Sequence, residues 1–156
     1  MRKYSTRDLS LAAVVAALYT VLGYFGNIFG LNFGMFQCRF AEALCVLPFF
    51  FPATAPGLFV GCLAANLLCG APLPDIIFGS LATLLAAIAT RRLRKNVYLA
   101  ALAPVISNGV IVGIMLSVVY AVPLLWSCFT VAVGEVAACY VLGIPLLKGV
   151  EKLKIF

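Results

Sequence analysis

Arg39 and Glu42 set a full positive and a full negative charge three residues apart at the mouth of an apolar stretch. On a helix, positions i and i+3 share a face, so the two side chains are expected to point into the same space and offset one another. The residues that follow, 44–51, belong in lipid or protein core rather than in water. A charge in a membrane helix costs about 2.5–3.5 kcal/mol on the insertion scale, so it is normally paired, enclosed in a bundle or functional. Asp75 and Glu135 are two further carboxylates in apolar surroundings, and Gln37, Asn66 and Asn108 add amides. One arginine and three carboxylates sum to −2 if all are ionised (+1 − 3). Such an excess favours a ligand that is cationic or rich in hydrogen-bond donors. A carboxylate can accept two parallel N–H bonds, as an amidine-like edge offers. Trp126 and the phenylalanines of 36–51 are suited either to stacking a flat ring or to anchoring at a membrane interface. The competing chemistry is a membrane-embedded enzyme with Glu135 and Asp75 as acid and base. A third reading is an accessory subunit that uses the carboxylates structurally. No nucleophile–base pair stands beside the carboxylates, so the enzyme reading is the weaker.

Composition narrows the field further. The chain has 156 residues, 65% of them hydrophobic and 10% charged, where soluble domains run at about 25% charged residues. Its mean hydropathy is +1.15. This is an all-α integral membrane protein forming one transmembrane domain over 1–156, with room for about six spans at roughly 20 residues each. The net charge of +6 does not imply nucleic acid. The basic residues fall in three short clusters, Arg2, Lys3 and Arg7, then Arg91, Arg92, Arg94 and Lys95, then Lys148, Lys152 and Lys154, which is the pattern of positive-inside topology. The chain has no histidine and its six cysteines lack metal-ligand spacing, so neither a metal nor another cofactor is expected. Those cysteines are expected to act as small apolar fillers. No phosphate-binding Gly-x-x-x-x-Gly-Lys loop is present, so ATP hydrolysis would have to come from a partner. The basic head and Ala-rich run at the start resemble a signal peptide, but no polar region follows, and a retained first helix is expected.

Hydropathy and breakers predict helices over 8–29, 37–51, 57–68, 76–90, 98–120 and 123–147, with a break at 52–56 and a loop at 91–96. Six crossings place ten of the eleven Lys and Arg residues with both termini on the cytoplasmic side, Arg39 being the exception. Gln37, Arg39, Glu42, Asn66 and Asp75 then lie in the outer third, and Asn108 and Glu135 about 15 Å deep. That distribution suits a pocket open outward over an apolar inner half, not a polar pore. In the first helix Ala12/Ala16 and Ala13/Ala17 form two overlapping Ala-x-x-x-Ala pairs that let another helix approach closely, either within the bundle or from a partner protein.

Three blocks are familiar in this setting: Gln37-Cys38-Arg39-Phe40-Ala41-Glu42-Ala43-Leu44, then Pro56-Gly57-Leu58-Phe59-Val60-Gly61-Cys62-Leu63-Ala64-Ala65-Asn66-Leu67, then Asp75-Ile76-Ile77-Phe78-Gly79-Ser80-Leu81-Ala82-Thr83-Leu84. With the Gly134-Glu135 segment they resemble the QueT family, described as the substrate-binding (S) component of energy-coupling factor (ECF) transporters for queuosine precursors. The likeness covers nearly the whole chain. It implies a six-helix S-component bundle in the plasma membrane and a 7-deazaguanine ligand such as queuine or 7-aminomethyl-7-deazaguanine. It also implies a transmembrane coupling (T) component with two cytoplasmic ATPases, docked through the Ala-x-x-x-Ala face of the first helix at Ala12, Ala13, Ala16 and Ala17. On this ligand, Glu135 or Glu42 would accept the guanine edge, Asp75 would meet the ammonium, and Asn66 and Asn108 would hold ring acceptors. Arg39 would orient Glu42 or contact the carbonyl oxygen.

Overall fold

A computed structural model of the chain describes residues 5–30 and 39–153. The described residues form six α-helices: α1 (Thr6–Ile28), α2 (Thr54–Leu68), α3 (Ser80–Arg92), α4 (Val97–Tyr120), α5 (Leu124–Val136) and α6 (Ile144–Lys152). Three further segments are helical but not α: a 3₁₀ helix at Phe40–Phe49 and π turns at Asp75–Gly79 and Ala137–Gly143. α1, α4 and the continuous path Leu124–Lys152 are long and apolar enough to cross a membrane. The chain is a multi-pass membrane protein.

Its exterior is apolar, unlike that of a water-soluble bundle, and its core holds charged and amide groups among apolar ones. Leu18, Val21, Phe25 and Ile28 of α1, Ile106 and Val110 of α4, and Leu125 and Phe129 of α5 face outward. Arg39, Glu42, Asn66, Asp75, Asn108 and Glu135 are buried. Apolar side chains are at no disadvantage against lipid, so the exterior needs no polar cover. Each interior polar group, by contrast, must find its partner within the protein.

Helix contacts rest on small residues. On Gly57 an added Cβ would stand 2.3 Å from the Ala12 carbonyl oxygen, and on Gly61 2.8 Å from that of Ala16. Gly23 meets Ala65 in the same way at 2.8 Å. Positions rise together along both chains, so α1 and α2 run parallel with their backbones nearly touching. Ala12 and Ala16 are half-buried with their backbones against α2, while Ala13 and Ala17 lie on the outside of α1. α4 and α5 run antiparallel over an equally close seam, where a Cβ on Gly113 would meet Cys128 Cα at 2.8 Å.

The 3₁₀ helix occupies the centre. Ala41 to Pro48 are all buried, and the segment touches α1, α2, α3, α4, α6 and the second π turn. Sequence reasoning places an α-helix over 37–51. The 3₁₀ form rises about 2.0 Å per residue, so its ten residues reach about 20 Å instead of about 15 Å. At its far end Arg91 Nη1 donates to the Phe49 carbonyl at 2.9 Å, satisfying a terminal acceptor. Two other boundaries differ from expectation. α2 begins at Thr54, with Pro56 in the first turn where a missing N–H costs little. The predicted loop at 91–96 is shortened because α3 continues through Arg92.

Substituting Gly61→Val pushes a side chain into the α1 backbone and is expected to cost more than about 2 kcal/mol. Ala13→Leu on the outward face is expected to stay within about 0.5 kcal/mol. Thermal unfolding of the two variants in detergent checks both values.

Candidate functional site

The non-α segments bring the site together. Asp75 and Gly79 lie in the first π turn, Glu42 and Cys45 in the 3₁₀ helix, and Cys139 in the second π turn, with Glu135 just ahead of it. Departures from α-helix of this kind recur at functional sites because they re-aim side chains.

Arg39 precedes the first 3₁₀ residue with an extended backbone (φ −85°, ψ 96°), so the shared-face rule does not govern it. Its guanidinium forms an ion pair with Asp75, Nη2 to Oδ1 at 3.4 Å. This corrects the expected pairing of Arg39 with Glu42, and it places Asp75 against a cation of the protein itself. Asn66 Nδ2 donates to the Asp75 carbonyl oxygen at 3.2 Å and locks the start of the π turn to the end of α2. Gly79 leaves room for both groups: a Cβ there would stand 3.1 Å from Arg39 Nη1 and 3.3 Å from Asn66 Nδ2.

Glu42 is fully enclosed and holds neutral donors instead of a cation. Tyr19 of α1 donates its hydroxyl to Oε1, Thr83 of α3 donates to the same oxygen at 2.8 Å, and the Cys45 thiol meets Oε2 at 2.8 Å. Residues i and i+3 eclipse in a 3₁₀ helix, which sets Cys45 beside Glu42. Hydroxyl and thiol dipoles here take the place of water around the carboxylate. The thiols are thus more than apolar fillers: Cys62 Sγ lies 3.4 Å from Thr83 Oγ1 and 3.6 Å from Asn66 Nδ2. Cys139 Sγ lies 3.6 Å from the Glu42 carbonyl oxygen.

Cys139 carries the network onward to Glu135 Oε2 at 3.9 Å, and Asn108 Nδ2 donates to Glu135 Oε1 at 3.0 Å. The structure therefore brings Arg39, Glu42, Asn66, Asp75, Asn108 and Glu135 into one chain of polar contacts. Trp126 stands apart, 44% exposed, with its ring 6.2 Å from that of Phe129. Gln37 lies outside the described residues. Sequence reasoning missed Tyr19, Thr83, Cys45, Cys62 and Cys139. One signal for Tyr19 was available: it falls on the face of α1 that carries Ala12, Ala16 and Gly23, where a bulky polar residue among small ones has to have a partner. Asp75→Asn removes the negative partner of a buried guanidinium and is expected to cost about 3 kcal/mol or more. Trp126→Phe is expected to cost under about 1 kcal/mol, and chemical or thermal denaturation in detergent measures both.

The family model described as QueT transporter matches residues 9–152. A relative named queuosine precursor transporter QueT, from Lactococcus lactis subsp. cremoris (strain MG1363), is 33% identical over 84 residues, which is 54% of this chain and 49% of the relative. The match thus spans about half the length of that curated relative. No solved structure matches the chain. The family match reaches from the second turn of α1 to the last residue of α6 and takes in every member of the buried network, and the chain belongs to the QueT transporter family.

Proposed function

We propose that this chain is the substrate-binding subunit of an ECF-type importer for a queuosine precursor, a 7-deazaguanine such as queuine or 7-aminomethyl-7-deazaguanine. The observation that carries the reading is a continuous buried polar network, with more carboxylates than cations, inside a bundle whose exterior is apolar. A structural scaffold in lipid has no need of such a network, and the excess acceptor capacity suits a base rich in N–H donors. Membership of a transporter family sets the enzyme reading aside, and the name of the Lactococcus relative points to the same class of solute.

Six crossings are part of this reading. The 3₁₀ helix, α2 and the helix from the first π turn through α3 are short, yet contacts alternate in direction from one segment to the next. Thr83 meets Cys62, while Asn66 meets Asp75, so α2 and α3 are antiparallel. Thr90 bonds Ala100 and Ser107 bonds Ala82, so α3 and α4 are antiparallel as well. That alternation gathers Arg7, Arg91 to Lys95, Lys148 and Lys152 at one end, which is the cytoplasmic one by the positive-inside rule. The Arg39–Asp75 pair then stands at the outer end, where solute enters. A transmembrane coupling subunit and two cytoplasmic ATPases complete the importer, and Ala13 and Ala17 on the outside of α1 offer the close-approach surface for the coupling subunit.

Titrating the purified chain with 7-aminomethyl-7-deazaguanine, queuine and guanine, followed by heat or Trp126 fluorescence, is expected to give saturable binding of a deazaguanine at least about tenfold tighter than guanine. Binding of none of them by folded protein would remove the substrate assignment. Ala13→Leu and Ala17→Leu are expected to reduce recovery of the ATPases on co-purification several-fold without loss of ligand binding. Undiminished recovery would place the docking face elsewhere.

A further inference from the structure

Two buried carboxylates compete for the role of ligand acceptor, and their hydrogen bonds separate them. Glu42 already accepts from Tyr19 and Thr83 on one oxygen and from Cys45 on the other. An ionised carboxylate offers about four lone-pair sites, so Glu42 is close to saturated. Glu135 accepts one short bond, from Asn108 to Oε1, while Oε2 has only the distant Cys139 thiol at 3.9 Å. Its acceptor capacity is largely unspent.

Asn108 supplies an independent observation. A carboxylate can only accept, so the amide nitrogen of Asn108 faces Glu135 and its Oδ1 faces away. That Oδ1 is buried and bonds no described residue, in a side chain that is 1% exposed. Buried polar atoms in folded proteins nearly always have a partner. An orphan acceptor joined through its own amide to an under-used carboxylate makes a pair of acceptor atoms for which the described residues offer only the distant Cys139 thiol.

We propose that Asn108 Oδ1 and Glu135 Oε2 form the acceptor pair that reads the N–H edge of the transported base, with Glu42 bracing the 3₁₀ helix against α1 and α3 without touching the ligand. The inference rests on the deazaguanine reading above. The pyrimidinone edge of that base carries two adjacent donors, a ring N–H and an exocyclic amine. One acceptor is a carboxylate oxygen and the other an amide oxygen, so the two donors are met without two carboxylates standing side by side. A base that lacks the exocyclic amine leaves one acceptor unfilled, and sites built to bond a donor reject analogues without it. The pair therefore sets specificity for a 2-amino base.

Calorimetric titration of the full chain in detergent tests this with two probes, 7-aminomethyl-7-deazaguanine and its analogue lacking the 2-amino group, 7-aminomethyl-7-deazahypoxanthine. Wild type is expected to prefer the amino compound about 5- to 100-fold, because without the exocyclic amine the buried Asn108 Oδ1 stays unfilled. Asn108→Ala is expected to reduce that preference to under about threefold. Asn108→Leu keeps the branched shape while removing both polar atoms and is expected to do the same, which covers failure of the alanine variant to fold. Equal binding of the two compounds by wild type would overturn the acceptor pair and leave the substrate reading standing. Binding of neither would overturn both. A preference that survives in the Asn108 variants but collapses in Glu42→Gln would assign the edge to Glu42 instead.

Discussion

A carboxylate enclosed among helices in lipid has no water to turn to, and the arrangement around Glu42 follows from that constraint. Three donors from α1, α3 and its own segment converge on it. Each of those elements is thereby fixed in rotation as well as in position, because a hydroxyl must arrive within bonding distance of one side-chain oxygen. The close seam lined by Gly57 and Gly61 runs beside Tyr19, whose Cβ lies 2.8 Å from where a Cβ on Gly61 would stand. Packing and polarity are one problem here. Small residues set the distance, and the distance makes the bonds.

The same constraint explains the irregular helices. A regular α-helix presents a side chain every 100° and cannot crowd several polar groups toward one point from segments this short. The 3₁₀ helix stretches its ten residues through the centre and stacks Cys45 over Glu42. The π turn at Asp75 shifts the carboxylate toward Arg39. Such geometries are costly alone and persist where surrounding contacts over-determine them. Glu42 and the buried ion pair supply those contacts.

How much of this could be read from the sequence depended on the size of the energetic signal. Arg39, Glu42, Asp75 and Glu135 announced themselves because a charge in an apolar segment demands an explanation, and all four are buried in the network. α1 and α4 lie within two residues of expectation because a long apolar run has one obvious solution. Tyr19, Thr83 and the cysteines cost too little in a membrane helix to draw notice, and only the tertiary arrangement shows that they act as donors. The pairing of Arg39 was misjudged because local spacing was applied to a residue outside the helix it precedes. The choice between α, 3₁₀ and π has no clear local code, since it is made by the contacts each segment finds.

Synthesis order gives the Glu42 network a history. A ribosome delivers α1 first, so Tyr19 is made before Glu42, and Cys45 follows within three residues. Arg39 must wait for Asp75, thirty-six residues later, and Glu135 emerges only after its amide, Asn108, has been made. Each buried carboxylate of the network thus follows in the chain a residue that bonds it: Glu42 follows Tyr19, Asp75 follows Arg39 and Glu135 follows Asn108. The order of the chain therefore suits a bundle assembled as it is made, in which no buried carboxylate of the network precedes every residue that bonds it.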